Sequence, residues 1–443
     1  MNLIFFTDRD LGKRFPEILA SAGLTVERHH DRFAPDASDE EWLRYVNPLM
    51  ADRRQLMKNL LFHGGDVVTP QGLRQGIDVR VDDGVITHVG PQLSAAGAIV
   101  IDARGLVVAP GFIDIHIHGA GGAMCEVGDP DQQEVISTTL ARFGTTGFLA
   151  TIATLPADAL RAAVRSIASA AGNESGARIL GIHLEGPYLN PLRAGAQAVA
   201  WMRAPSIEEF DALQELSGGM IRLITVAPEI NGALPFIRAV RERGVIAAAG
   251  HSNATQAEMQ LAVHAGVTHV THLFNAMREL HHREPGIAGV ALSDDTLSTE
   301  LICDGHHVSG TAVDLALRCK PTLKAVLVSD AVGALGVPDG EYEMFGMPCV
   351  VAGGAVRLKS GGQLAGSCLT LDRAVRNVHR WKPTLPLVNL LHSASWAPAL
   401  TVGLDDQRGT IEPGKEADVV LLDGDLHVVK TFRSGKQVWS RQP

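Results

Sequence analysis

Eight short apolar runs, each separated from the next by a stretch of helical character, constrain this 443-residue chain more than any other feature. They are GLVVAPGFIDIHIHG, TGFLATIAT, ARILGIHLEGP, MIRLITVAPE, GVIAAAGHSNAT, VTHVTHLFNAM, STELICDGHHV and LKAVLVSDAVGA, with segments such as DQQEVISTTLARFG and TQAEMQLAVHAG between them. Strands alternating with helices make a parallel sheet. Eight such units predict an α/β fold, a (β/α)8 TIM-like barrel running from about Pro110 to Pro386. A doubly wound sheet is the alternative topology for the same pattern.

The flanks read differently. LLFHGGDVVTPQG, DVRVDDGVITHVG and GLVVAP alternate apolar and polar residues around glycine-bearing turns, and GTIEPGKEADVVLLDGDLHVVKTFRSGKQVWS repeats the pattern near the C-terminus. A small flanking β-sandwich built from both chain ends, residues 57–109 and 387–443, is expected beside the barrel of residues 110–386. Residues 1–56 stand apart and resemble part of a PIN-like domain, with Asp8, Asp10, Asp39 and Glu40 at acidic positions. Only a fraction of such a domain is present, so no nuclease activity is expected.

Composition narrows the function. Hydrophobic residues at 46% and charged residues at 20% are ordinary for a globular protein, and no apolar run is long enough to cross a bilayer. The opening MNLIFFTDRD lacks the basic and apolar regions of a secretory signal, which predicts a cytoplasmic protein. Cys125, Cys303, Cys319, Cys349 and Cys368 form no C-x-x-C pair, which predicts free thiols and no thiolate zinc site. A net charge of −10 argues against nucleic-acid or anionic-membrane partners, so an anionic substrate would need local arginines.

Polar residues gather where the runs end: His116 and His118 on the first, Glu185 on the third, Glu229 on the fourth, His251 on the fifth, His272 on the sixth, His307 on the seventh and Asp330 on the eighth. Barrel active sites are built on that rim. His116 and His118 are two residues apart in a strand, so both face one side. Alone they could be satisfied polar residues at a strand end, but their company points to a metal. No lysine lies between Lys58 and Lys320, so neither a carboxylated lysine bridging two metals nor a Schiff-base lysine is available. Glu185 with neutral His251 and His272 then predicts a three-ligand site with a position open for water, suited to Zn²⁺ or Fe²⁺. Such a cation lowers the pKa of its water to about 7 and makes hydroxide available as nucleophile. Asp330 is placed to act as general base and acid in amide hydrolysis, or to orient a histidine. His264, His269, His281, His282 and His306 are read as surface or packing residues.

The blocks PGFIDIHIHGAGG, GIHLEGPYLNPLRAGAQ, VAPE, GHSNAT, THLFNAM, REPGIAG, ICDGHHV, LVSDA and LAGSCLTLDRAVRN resemble the N-acetylglucosamine-6-phosphate deacetylases of the amidohydrolase superfamily, in order and spacing, from about Met57 to the C-terminus. The resemblance implies hydrolysis of the acetamido group of an amino-sugar phosphate, with Glu185, His251 and His272 as metal ligands and Asp330 as acid/base. It implies substrate contacts from Asn275, Ala276, Arg283 and His307, the last two at the phosphate, with one subunit of a homodimer reaching into its neighbour's site. Members with H-x-H at the first strand can bind two metals, so His116 and His118 are the expected ligands of a second ion, with Glu185 bridging. Gln197 stands where many members have a histidine near the substrate. A related enzyme acting on N-acetylgalactosamine 6-phosphate or another N-acyl amine would keep the same ligands. A scaffold that had lost catalysis would have lost some of them, and none is lost.

Overall fold

The computed structural model describes residues 59–344 and 346–442; the PIN-like expectation for residues 1–56 lies outside them. From the N-terminal side come β1 (Leu60–Thr69), β2 (Gly72–Asp82), β3 (Val85–Gly90), β4 (Ile99–Asp102) and β5 (Val107–Pro110). They pair with β20 (Val419–Leu422), β21 (Val428–Arg433) and β22 (Lys436–Ser440) in one eight-stranded sheet ordered β22-β21-β20-β5-β1-β2-β3, with β4 on β1. The two chain ends meet antiparallel, Val419 opposite Pro110 and Leu422 opposite Val107. Alternation gives this sheet its own core of Phe62, Val79, Val81, Ile86, Val419 and Phe432, where Phe62 and Phe432 pack edge to face at 4.9 Å.

The first apolar run breaks at Gly111. Its second half is the first barrel strand, β6 (Phe112–Ile117), followed by a small hairpin, β7 (Gly119–Ala120) and β8 (Ala123–Met124). The other barrel strands are β9 (Thr145–Ile152), β10 (Arg178–Glu185), β11 (Ile221–Val226), β12 (Ile246–Ala249), β13 (Val267–Val270), β14 (Ser298–Ile302) and β15 (Ala325–Val328), all parallel and in sequential order. Buried on both faces, they read as continuous apolar runs. The ring closes between β6 and the residues after β15, where the His118 N–H donates to the Ala331 carbonyl at 2.7 Å and the Asp330 N–H to that of His116 at 2.9 Å.

Helices return the chain between strands: α1 (Pro130–Ala141), α2 (Ala157–Ala170), α3 (Ile207–Leu216), α4 (Ala233–Glu242), α5 (Gln256–Ala265), α6 (Gly286–Ser293) and α7 (Gly310–Cys319). Local capping sets several starts: Asp129 and Pro130 open α1, and Thr255 with Glu258 forms a capping box on α5. No helix among the described residues is long and apolar enough to cross a membrane.

Two features depart from the sequence reading. Residues 340–367 form an antiparallel sheet, β16 (Gly340–Met344), β17 (Met347–Ala352), β18 (Ala355–Leu358) and β19 (Leu364–Ser367), with a small core of its own. After α8 (Leu371–Trp381), the segment expected to open the C-terminal flank instead forms α9 (Leu387–Ser393) and α10 (Trp396–Thr401), whose Leu390, Leu391, Ala397 and Ala399 join the barrel core. Their apolar side chains recur at helical spacing, and the barrel face is the surface that buries them.

Barrel and flanking sheet are joined by a buried ion cluster. Arg408 donates to Asp418 at 2.9 Å and to Glu416 at 2.6 Å, and Glu416 also accepts from Arg178 of β10 at 2.9 Å. Removing one partner of a buried pair leaves the other charge uncompensated. Arg408→Met is therefore expected to destabilise the fold by about 3–5 kcal/mol, read as a lower denaturant midpoint.

Candidate functional site

Every barrel strand that carries an expected site residue delivers it to the carboxyl-end rim. His116 is the penultimate residue of β6 and His118 follows the strand, Glu185 ends β10, and His251, His272 and Asp330 each lie two residues past β12, β13 and β15. Those last three have left-handed backbone, with φ of 46°, 30° and 48°. Non-glycine residues avoid this region, and strain of this kind gathers at functional sites. It turns each side chain inward after its strand has ended. Gly250 permits the turn before His251, because a Cβ there would sit 2.8 Å from Thr225 and Thr271 side-chain carbons.

Four imidazoles face one carboxylate. Oε1 of Glu185 lies 3.0 Å from Nε2 of His251, 3.0 Å from Nε2 of His272 and 3.3 Å from Nε2 of His116, and Oε2 lies 3.2 Å from Nε2 of His118. Oδ1 of Asp330 reaches the His116 and His118 Nε2 atoms at 3.5 and 3.4 Å. Acceptors behind the rings assign the tautomers. Nδ1 of His251 donates to the Arg193 carbonyl at 2.9 Å, Nδ1 of His116 to Glu300 at 2.8 Å and Nδ1 of His118 to Glu126 at 3.2 Å. In the neutral ring each Nε2 then presents a lone pair to the carboxylates, an arrangement that repels until a cation or proton lies between.

The buried Nε2 of His116 makes no hydrogen bond, although Glu185 faces it. Two three-residue sets, Glu185 with His251 and His272, and His116 with His118 and Glu185, bring ligand atoms within 4.8 Å of one another. Nitrogen and oxygen donors at this spacing, held from behind by carbonyl and carboxylate acceptors, fit a divalent metal.

The charge pattern shows the same demand. Burial opposes ionisation of Glu185, but His116 and His251 outweigh it and hold the carboxyl well below its ordinary range. Burial likewise opposes protonation of His116 and His118, and the surrounding carboxylates, Glu300 foremost for His116 and Asp330 for His118, raise both well above the usual imidazole range. Asp330 is lowered: burial pushes it up, and His116 and His118 pull it further down.

A cavity of about 180 Å³ opens onto these groups, lined also by Gln197, Asn275, Ala276, His307, Leu364 and Gly366. Gln197 donates to Oε2 of Glu185 at 2.5 Å and accepts from the Thr154 N–H at 2.7 Å. His307 is held by Asp304 through its Nδ1 at 2.7 Å and its backbone N–H at 2.8 Å. Asn275 reaches the His272 carbonyl at 3.3 Å. Arg283 is not brought here: it is exposed beside His282, outside the cavity lining of its own chain. Glu229 is no ligand either, since it ties the loop after β12, through Ser252 and Asn253, to Asn190 of the segment after β10.

The sequence reading missed Glu300. Its buried carboxylate accepts from His116 Nδ1 at 2.8 Å, His269 Nε2 at 3.0 Å and the His272 N–H at 2.9 Å, so it holds both halves of the site. The signal was present as a lone acid inside the apolar STELI strand. Glu126 carried none, because only the β7–β8 hairpin brings it behind His118.

The amidohydrolase family model matches residues 107–438. The chain is 37% identical over 387 residues to an N-acetylglucosamine-6-phosphate deacetylase from Bacillus subtilis, covering 86% of this chain and 97% of that protein. It is also 37% identical over 371 residues to an N-acetylgalactosamine-6-phosphate deacetylase from Escherichia coli O157:H7, covering 84% and 97%. Among solved structures, an aspartate-to-alanine variant of N-acetyl-D-glucosamine-6-phosphate deacetylase from Mycobacterium smegmatis, in complex with N-acetyl-D-glucosamine-6-phosphate, superposes with a TM-score of 0.82 at 31% identity, covering 86% of this chain and all of that one.

Because Glu300 orients candidate ligands of both half-sites, Glu300→Gln is expected to weaken metal binding by about 10- to 100-fold while the protein stays folded. Competition against a chelator, read beside the circular dichroism spectrum, checks this.

Proposed function

The chain belongs to the amidohydrolase family, and we propose that it hydrolyses the N-acetyl group of N-acetylglucosamine 6-phosphate, releasing acetate and glucosamine 6-phosphate. The observation that carries this reading is the convergence of Glu185, His251 and His272 with Asp330 in one cavity. A divalent cation, Zn²⁺ or Fe²⁺, held by the first three residues, with His116 and His118 able to hold a second against Glu185, would supply Lewis-acid polarisation of the amide and water acidified to a pKa of about 7.

The chain's own residues do the rest. Asp330, whose Oδ1 lies 3.5 and 3.4 Å from the His116 and His118 Nε2 atoms, takes the proton of the water that attacks the acetyl carbon. As the C–N bond breaks, it returns that proton to the departing amine nitrogen. Glu300 and Glu126 keep the imidazoles turned toward the centre. Asn275, the backbone of Ala276, and Gln197 border the sugar, and His307 meets the phosphate.

The proposal includes a homodimer in which Arg283 of each chain serves the neighbouring pocket. What supports it is the exposed position of Arg283 outside its own cavity, and a planar guanidinium suits phosphate oxygens. Equal identity to the galactosamine relative keeps the C4 epimer as a second substrate candidate.

Acetate release from N-acetylglucosamine 6-phosphate, beside the galactosamine epimer and the unphosphorylated sugar, tests the reading: turnover confined to phosphorylated sugars is expected, and no acetate from any would overturn it. Asp330→Asn is expected to keep its metal and lose about 10²- to 10⁴-fold in kcat, whereas His272→Ala should lose metal. For the shared site, Arg283→Ala and Asp330→Asn chains, each inactive alone, should regain activity when refolded together. Heterodimers without activity would sink the trans arrangement.

A further inference from the structure

A second cavity, of about 580 Å³, lies between α8 and the turn at 424–427 and shares no lining residue with the pocket at Glu185. In LDRAVRNVHRW, Arg373, Arg376 and Arg380 fall at i, i+3 and i+7, along one stripe of the helix, and all three line the cavity. His379 and His427 add imidazoles, and Asp425 is the one carboxylate among the lining residues. Arg376 is occupied, donating to Asp372 at 2.6 Å and to the Leu426 carbonyl at 3.3 Å, and His427 stands 3.6 Å from Asp423. The guanidinium groups of Arg373, half-buried, and Arg380, exposed, have no carboxylate oxygen within 4.0 Å among the described residues. In a chain with 49 acidic and 39 basic residues, three arginines on one stripe of a cavity lining that holds a single carboxylate are conspicuous. For the half-buried Arg373, a cation without a carboxylate partner is unfavourable until an anion joins it.

The cavity connects to the substrate pocket by hydrogen bonds. Arg380 donates to Oδ1 of Asn377 at 2.5 Å, and buried Asn377 donates to the Cys303 carbonyl at 2.9 Å. The next residue, Asp304, holds His307 at 2.7 Å, and His307 lines the pocket. Three hydrogen bonds thus lie between Arg380 and a residue proposed to meet the substrate.

We propose that this cavity binds a phosphate-class dianion between Arg373, Arg376 and Arg380, and that drawing Arg380 onto the anion releases Asn377 and repositions His307. Several guanidinium forks call for a multiply charged ligand, and phosphate oxygens match them bidentately. The binding half stands apart from the deacetylase reading; the transmission half rests on it.

The test titrates the metal-loaded, full-length protein with inorganic phosphate by calorimetry, wild type beside Arg373→Gln/Arg380→Gln. The substrate pocket takes the same amount in both, so the expected result is one phosphate fewer per chain in the variant. Equal stoichiometry and affinity would overturn the site. Arg380→Gln alone, altering one exposed side chain, guards against loss of the fold and should weaken this phosphate by about tenfold. Glucose 6-phosphate in the same comparison tells a site for phosphate esters from one for free phosphate only. At saturating substrate, phosphate is expected to change wild-type kcat about fivefold and to leave the kcat of the double variant, in which the Arg380–Asn377 bond is already lost, unaffected. A phosphate effect on KM alone, equal in both proteins, would overturn the transmission. A wild type without deacetylase activity would remove the reading of the previous section, and the binding comparison would still decide the site.

Discussion

Barrel closure is the constraint on which the rest depends. β6 and β15 stand at opposite ends of the strand order, and the hydrogen bonds that join them run from Asp330 to His116 and from His118 to Ala331. The peptide groups that close the ring therefore belong to the residues whose side chains form the site. Closing the ring thus brings the candidate metal ligands together. The same place anchors the sheet of β16–β19, because Ser367 donates to the Asp330 carbonyl at 2.8 Å and accepts from Val332 at 3.0 Å. That contact brings Leu364 and Gly366 to the rim of the cavity.

Within this frame the centre is organised by unfavourable local choices. His251, His272 and Asp330 adopt left-handed backbone, and Glu185, Glu300 and the imidazoles of His116 and His118 are buried charges or near-charges. Each alone would cost stability. They persist together because closed hydrogen bonds hold them: carbonyl and carboxylate acceptors behind the rings, and Glu229 beneath the loop of His251. Their lone pairs are left pointing at one another, which is the arrangement a cation relieves. Glu300 links the two halves through the side chain of His116 and the backbone of His272.

Much of this was legible before any coordinates. The eight runs became eight parallel strands, and the polar residues at their ends lie on one rim, because a strand buried on both faces leaves its mark in consecutive residues. His116 and His118 face the same carboxylate because side chains alternate along a strand. What stayed hidden depended on distant packing. Residues 387–401 looked like part of the C-terminal flank until their apolar face had a barrel to cover. Arg283 was expected at a phosphate, with one subunit reaching into its neighbour's site, and the loop after β13 leaves it exposed outside the cavity lining of its own chain.

The sequence by itself determined the barrel, the pairing of flanking strands from both ends, and the identity of the ligand-type side chains, since period and burial are local properties of a chain. Only the tertiary structure decided that Glu300 and Glu126 stand behind the imidazoles, that Gln197 touches Glu185, and that Arg373, Arg376 and Arg380 line one cavity. Those are contacts across long stretches of chain. A hydrogen bond or an unpaired charge exists only once the closed ring has set which side chains lie within about 3 Å of each other.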